Sequence, residues 1–383
     1  MTTIINNEHK KLNVPNIRFP EFSGEWEECK LGDYGKVVTG NTPPTKDVEN
    51  YEDGTYLWAS PADLGTIKSI TETKTKLSSK GFSKTRALPR GSILVTCIGS
   101  TIGKTGMATK EMSTNQQINS IVVNKDNDNE FVYYAIQSAF PRYLSSIAVQ
   151  AVPIISKSGF ELLPNKRPCL QEQKKIGNFL SLLDERIATQ TKIIEDLKKL
   201  KSALSHILFS SKCTNHLSYI ANVVMGQSPS SNAYNDQGIG MPLVQGNLDI
   251  SNGKTTPRLY TAEFNQTAEE GNIILTVRAP VGEVAKATKK VCLGRGVCAI
   301  IPHEENMSDF IYQYLTFYKF MWRRYEQGST FTSINGSDVR NILCPEVRNV
   351  SILTLLDEKI STEERTVKLY QLQKLYMLYQ MFI

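Results

Sequence analysis

The run Gly99-Ser-Thr-Ile-Gly-Lys-Thr105 is the stretch of this 383-residue sequence that comes nearest to a nucleotide site. A phosphate-wrapping loop needs four residues between its first glycine and the Gly-Lys pair, so that successive amides close around the anion; here only Ser100, Thr101 and Ile102 intervene. The spacing excludes it. The zinc-protease pattern His-Glu-x-x-His, the nucleophile elbow Gly-x-Ser-x-Gly, a strand-borne Gly-x-Gly-x-x-Gly and the Asn-Pro-Pro-aromatic motif of amino-methyltransferases are also missing, and Asn41-Thr-Pro-Pro44 only approaches the last. Side chains that suit base edges are plentiful instead. Asn and Gln can bond adenine through two atoms, and Arg can do the same with guanine in the major groove. The candidates are Thr39, Asn41, Thr42, Ser60, Lys104, Asn115, Gln116 and Gln117 in the first half, and Gln227, Ser228, Gln245, Asn247, Arg278, Arg295, Thr330, Thr332 and Asn335 in the second. Singly, each is an ordinary turn or surface residue. As a set they point to sequence readout.

The elements that must carry these residues are written twice. Leu31, Gly40 and Pro43 recur as Leu217, Gly226 and Pro229; GSILVT at 91–96 recurs as GNIILT at 271–276, EFVYY at 130–134 as DFIYQ at 309–313, and LLDERI at 182–187 as LLDEKI at 355–360. The separation shrinks in small steps from 186 to 173 residues, which describes two copies of one unit with short deletions in the second. The second copy has Arg278-Ala-Pro-Val-Gly282-Glu283 where the first has the would-be phosphate loop, so the shared feature is a glycine turn. β-rich runs between Gly, Pro, Asn and Ser clusters, plus one helix per copy near 130–140 and 309–325, predict a mixed α/β domain in each. The aromatic stripe Tyr312, Tyr314, Phe317, Tyr318, Phe320 and Trp322 is expected to pack in a core.

Each copy ends in a coiled-coil ladder. Ile176, Leu180, Leu183, Ile187, Gln190, Ile194, Leu197, Lys201, Leu204 and Leu208 follow 4-3 spacing, as do Leu353, Leu356, Ile360, Glu363, Val367, Tyr370, Lys374, Met377 and Met381. Helices on the order of 55 Å are predicted, at about 1.5 Å per residue. If they pack antiparallel with every rung facing its mate, Lys201 meets Glu363 and Gln190 meets Lys374. The fold expected is therefore α+β and pseudo-twofold symmetric, with two mixed α/β domains separated by two long helices in an antiparallel coiled coil.

Composition narrows the class. Lys and Arg exceed Asp and Glu by 44 to 38, a net charge of +6 that is compatible with a polyanionic partner. Seven cysteines without a Cys-x-x-Cys pair and four scattered histidines argue for a reducing cytoplasm and against structural zinc. The start of the chain lacks a signal-peptide pattern, and no apolar run reaches membrane-spanning length.

These features together resemble the specificity subunit of a type I restriction-modification enzyme. The resemblance spans nearly the whole chain and rests on Ile17-Arg-Phe-Pro-Glu-Phe22, Glu25-Trp26, Leu31-Gly32, the GSILVTCIGSTIGKTGMA turn, Asn115-Gln-Gln117, Gln171-Glu-Gln-Lys-Lys-Ile176 and Leu182-Leu-Asp-Glu-Arg-Ile187. It implies an arm over 1–25, a target-recognition domain over 26–170, a spacer helix over 171–211, a second target-recognition domain over 212–346 and a second spacer helix over 347–383. It also implies a non-catalytic, cytoplasmic protein that binds an asymmetric bipartite sequence in double-stranded DNA, carries two adenine-methylating subunits and joins restriction and translocase subunits. S-adenosylmethionine, ATP and Mg2+ would belong to those partners, with no cofactor here. The second helix departs from the pattern, having Arg348-Asn-Val-Ser-Ile352 in place of the Glu-Gln opening. The other readings are a stand-alone DNA-binding regulatory or architectural protein, which should show a helix-turn-helix, and an enzyme with an unrecognised cleft.

Overall fold

Short apolar strands divided by turn residues build one sheet order twice. The computed structural model describes residues 13–65, 67–146, 154–213, 215–324 and 333–383. They fall into two compact units, residues 1–189 with 367–383, and residues 190–366. In the first unit the main sheet runs Gly35–Thr39, Ile118–Val123, Ile93–Thr96, Thr105–Ala108, Ser69–Ile70, and a second sheet runs Thr75–Leu77, Tyr56–Ala59, Ser113–Thr114. The second unit repeats the main order as Ala221–Met225, Val297–Pro302, Ile273–Thr276, Val284–Lys286, Lys254–Thr255, with Ile250–Ser251 added at the edge. Its second sheet contains Leu259–Thr261, Met241–Val244 and Val291–Leu293 in the same succession. Even the parallel pairs recur in place: Ser69–Ile70 with Thr105–Ala108 matches Lys254–Thr255 with Val284–Lys286. The chain also closes each unit alike, Glu27–Lys30 pairing with Pro164–Arg167 and Asn215–His216 with Leu343–Cys344.

Each main sheet packs against one helix, Asn129–Ser146 in the first unit and Ser308–Tyr318 in the second. The second helix continues as a 3-10 segment, Lys319–Arg324. Tyr314 and Trp322 are buried as expected, whereas Phe320 is 81% exposed and lies outside the core. The glycine turn has a packing reason. Gly103 and Gly282 adopt φ values of 91° and 89°, and a Cβ there would lie 2.6 Å from the Phe140 ring and 2.2 Å from the Trp322 ring. The lysine beside Gly103 is incidental to that contact.

The long helices are Leu170–Phe209 and Ser351–Met381. The second begins with the Asn349 side chain accepting from Ser351 N, a cap that replaces the Glu172 and Gln173 contacts at the first. Glu172 is buried, and its carboxylate takes two hydrogen bonds from Arg18 at 2.8 and 2.7 Å. Within each unit the helix segments run antiparallel, but in a different register from the rung-to-rung expectation. In the second unit Lys201 pairs with Asp357 at 2.5 Å and Gln190 donates to Glu363; in the first, Lys374 pairs with Asp184 at 2.7 Å. The expected pairs Lys201 with Glu363 and Gln190 with Lys374 do not form. Glu363, the carboxylate expected to face Lys201, is instead held by Gln190 and Lys359, and the seam lysines reach Asp357 and Asp184, each of which follows a seam leucine. Asp184 also accepts from the Tyr134 hydroxyl at 2.6 Å, and Asp357 from Gln313 at 2.7 Å. Burial, with the Asp184 charge beside it, pushes the Tyr134 hydroxyl well above the ordinary tyrosine range, so it stays a donor.

Helix ends complete both cores. Phe209 packs edge-on against Phe310 and Tyr314 in the second unit; in the first, Phe382 packs edge-on against Trp26 and stacks on Phe131.

Candidate nucleic-acid interface

In the second unit, loops distant in sequence converge. Ser228, Gln245, Asn247, Arg278 and Arg295 line one cleft of about 520 Å3, together with Asp249 and Arg258. Arg295 stands on a tip whose two flanking glycines are forced. A Cβ at Gly296 would sit 2.0 Å from the Gln245 carbonyl oxygen, and one at Gly294 would sit 2.9 Å from Gln245 Cγ. The tip is tied down by Gly294 N to Val244 O at 2.8 Å, Val277 N to Gly296 O at 2.9 Å and Arg295 N to Ser228 Oγ at 3.0 Å. Arg278 is fixed from the other side by an isolated bridge to Ser333. Thr276, fully buried, holds the turn beyond it through Pro280 O and Glu283 N. The buried Asp249 carboxylate accepts from Gln245 N at 2.8 Å and from Arg258 Nε at 3.1 Å, which removes one arginine from the free set. The guanidinium groups of Arg278 and Arg295 are exposed and, among the described residues, have no hydrogen-bond or ion-pair partner. Three arginines against one aspartate make the cleft an anion-attracting surface. Gln227 is exposed next to it in sequence, its backbone N bonded to Leu293 O.

The first unit brings the corresponding loops together but uses more of their side chains internally. Asn41 donates to Lys84 O at 2.8 Å and accepts from Arg86 N at 3.0 Å; Thr39 donates to Asn119 at 2.7 Å; Ser60 donates to Asp63 at 2.8 Å. Asn115 is buried and braces Gln117, its Nδ2 donating to Gln117 Oε1 and its Oδ1 accepting from Gln117 N, both at 3.0 Å. Thr42 donates to the exposed Gln116. Lys104 is exposed on the glycine turn. Arg86, which the sequence reading passed over, is exposed and anchored through Nη1 to Thr39 O at 2.6 Å. Asn335 caps the short helix Gly336–Arg340 by accepting from Ser337 N and Asp338 N. Ser156 caps the equivalent helix Lys157–Glu161 in the first unit. Thr330 and Thr332 lie outside the described residues.

Sequence reasoning also passed over Arg258 and Asp249. Asp249 is the counterpart of Asp63, which accepts from Ser60 N at 2.8 Å as Asp249 does from Gln245 N, so the copies offered a signal for the aspartate, though not for the arginine paired with it. Among the described residues no group of three or more His, Cys, Asp or Glu could hold a metal ion, and no helix is long and apolar enough to cross a membrane.

Two repeated mixed domains, each with a cluster of polar loops and each joined to a long helix, define a modular DNA-recognition protein. The model of the type I restriction modification DNA specificity domain matches residues 23–199 and again 214–368, and the chain belongs to that family. It is similar to a putative type I restriction enzyme MjaX specificity subunit from Methanocaldococcus jannaschii, with 27% identity covering 88% of this chain and 86% of the relative. It is also similar to the HindI specificity subunit of Haemophilus influenzae, 35% identical over 32% of this chain and 27% of that one. Among solved structures, the type I S subunit from M. genitalium superposes with a TM-score of 0.68 at 19% identity, covering 97% of this chain and 99% of the other, which shows the shared fold. As a specificity subunit the chain is the non-catalytic DNA-recognition component of a type I system.

Proposed function

We propose that residues 26–170 and 212–346 each read one half of an asymmetric bipartite DNA target, and that the arm and the helices over 171–211 and 347–383 bind partners and set the gap between the halves. Two adenine-N6 methyltransferase subunits and ATP-dependent restriction subunits join this core in the cytoplasm, bringing S-adenosylmethionine, ATP and Mg2+ with them. The observation that carries the reading is the convergence of Ser228, Gln245, Asn247, Arg278 and Arg295, drawn from four separate loops, into one positively charged cleft. Groups of these types are the ones that bond base edges in the major groove.

The test is co-expression with the modification subunits followed by mapping of methylated adenines. A two-part motif is expected, and replacing residues 212–346 with those of another family member should change one half of it and leave the other. A seven-residue insertion after Lys198, matched in the second helix, keeps the seam in phase and adds about 10 Å of helix, equivalent to roughly 3 base pairs. Modification of the original target should drop below detection while a target with a new gap and the same halves appears. A change in both halves after the domain replacement, or altered halves with an unchanged gap after the insertion, would contradict the proposal.

A further inference from the structure

The two copies differ most where a side chain leaves a repeated backbone. Arg278 occupies the place of Ile98, and Gly294-Arg-Gly296 the place of Asn115-Gln-Gln117. A contact to phosphate carries no sequence information, and the DNA backbone is the same for both domains. Positions devoted to phosphate therefore have no reason to diverge between copies of one scaffold, whereas positions devoted to bases must diverge to read different halves. Arg278 and Arg295 diverge. Both stand on backbones fixed by main-chain bonds and crowded glycines, both lack a protein partner among the described residues, and both face one concave cleft. The neighbouring arginine that is committed, Arg258, already has Asp249.

Resting on the proposed function, we infer that the half-site read by residues 212–346 contains a guanine bonded at N7 and O6 by the Arg278 and Arg295 pair. The first unit has no counterpart to this fork: Ile98 is apolar, and Gln116 is engaged by Thr42. A planar guanidinium matches the two acceptors of guanine and finds no equivalent on adenine, whose major-groove edge pairs an acceptor with a donor.

The experiment uses the assembled modification complex and duplexes carrying its mapped target. Each guanine in the half assigned to 212–346 by domain replacement is exchanged for 7-deazaguanine, which lacks the N7 acceptor. One such exchange should weaken binding roughly 10-fold or more, on the scale of a single base contact. Whichever of Arg278→Ala and Arg295→Ala removes the donor to N7 should abolish sensitivity to that exchange, and both should relax methylation at the same base, with the other half read normally. Preserved reading of the other half also shows that the variant is folded. The inference is overturned if no guanine in that half is sensitive, or if the variants weaken all duplexes alike with a shallower salt dependence, the signature of phosphate contact. Those outcomes leave the two-part motif intact. Loss of any two-part motif in the unaltered complex, or variants that change only the other half, would instead mark failure of the underlying assignment of domains to halves, and the inference would fall with it.

Discussion

The first and second units hold their loops by the same main-chain bonds and furnish them with different side chains. Gly40 N to Ile118 O matches Gly226 N to Val297 O, both at 3.0 Å; Asn41 N to Thr114 O matches Gln227 N to Leu293 O, both at 2.9 Å. Cys97 N to Gln117 O at 2.7 Å matches Val277 N to Gly296 O at 2.9 Å, and Ile155 N to Cys97 O matches Ile334 N to Val277 O. Backbone amides and carbonyls are present whatever the side chain, so a scaffold tied together this way tolerates wide change in what its loops display. The difference lies in how the side chains are used. The first unit spends Asn41, Asn115 and Thr39 on bracing its own loops, while the second braces with glycines and Thr276 and leaves two guanidinium groups free.

That contrast can be broken most severely at Gly296. The first copy accommodates Gln117 at the equivalent position, but Gly296→Gln would drive a Cβ into the Gln245 carbonyl. A loss of about 3 kcal/mol or more in the stability of the second unit is expected, against about 1 kcal/mol in the first unit for Gln117→Gly. Denaturant unfolding with peptide-resolved hydrogen exchange separates the units, and equal losses at the two positions would refute the difference in bracing.

A smaller effect tests the likeness between the units. Lys201→Met and Lys374→Met each remove a partly buried partner of Asp357 or Asp184, and each should destabilise by about 1–2 kcal/mol, between the values for exposed and fully buried pairs. Lys201→Met should lower exchange protection in residues 190–366, and Lys374→Met in residues 13–189 and 367–383. A protected helix pair in either variant would show that the repeated ion pair does not anchor it. The smallest effect concerns the helix caps. Asn335→Ala should cost about 1 kcal/mol and leave the recognised sequence unchanged. A shift in the mapped motif would return Asn335 to the base-reading set.

The repeat and the seam were legible in the sequence because they depend on spacing, which survives substitution. The helix register was not. Asp184 and Asp357 stand inside the LLDERI and LLDEKI match, yet reading only the seam positions passes over carboxylates one step to the side. The second-copy cluster was found because its polar residues differ from the first copy on a common frame. Which candidates are occupied with bracing is a tertiary fact: Asn41 finds Lys84 and Arg86 more than forty residues away, and nothing local to Asn41 announces it. The aromatic stripe shows the same limit, since Phe320 shares the spacing of its neighbours but falls where the helix tightens to 3-10 geometry and turns outward.

The cores of the two units are closed by residues of very different age in a growing chain. Residues 190–366 form a continuous stretch, so the second unit has all its parts as soon as its last helical turn is made. The first unit waits for Leu378, Met381 and Phe382, and for Gln380, whose carbonyl accepts from Ile17 N at 3.0 Å. Translation delivers these more than two hundred residues after the helix Asn129–Ser146, on which Leu378 and Phe382 pack through Ser138 and Phe131. The domain synthesised first is thus the one completed last, and a chain truncated near residue 370 would contain every residue of the second unit while Trp26 and Phe131 of the first still lacked the cover of Phe382.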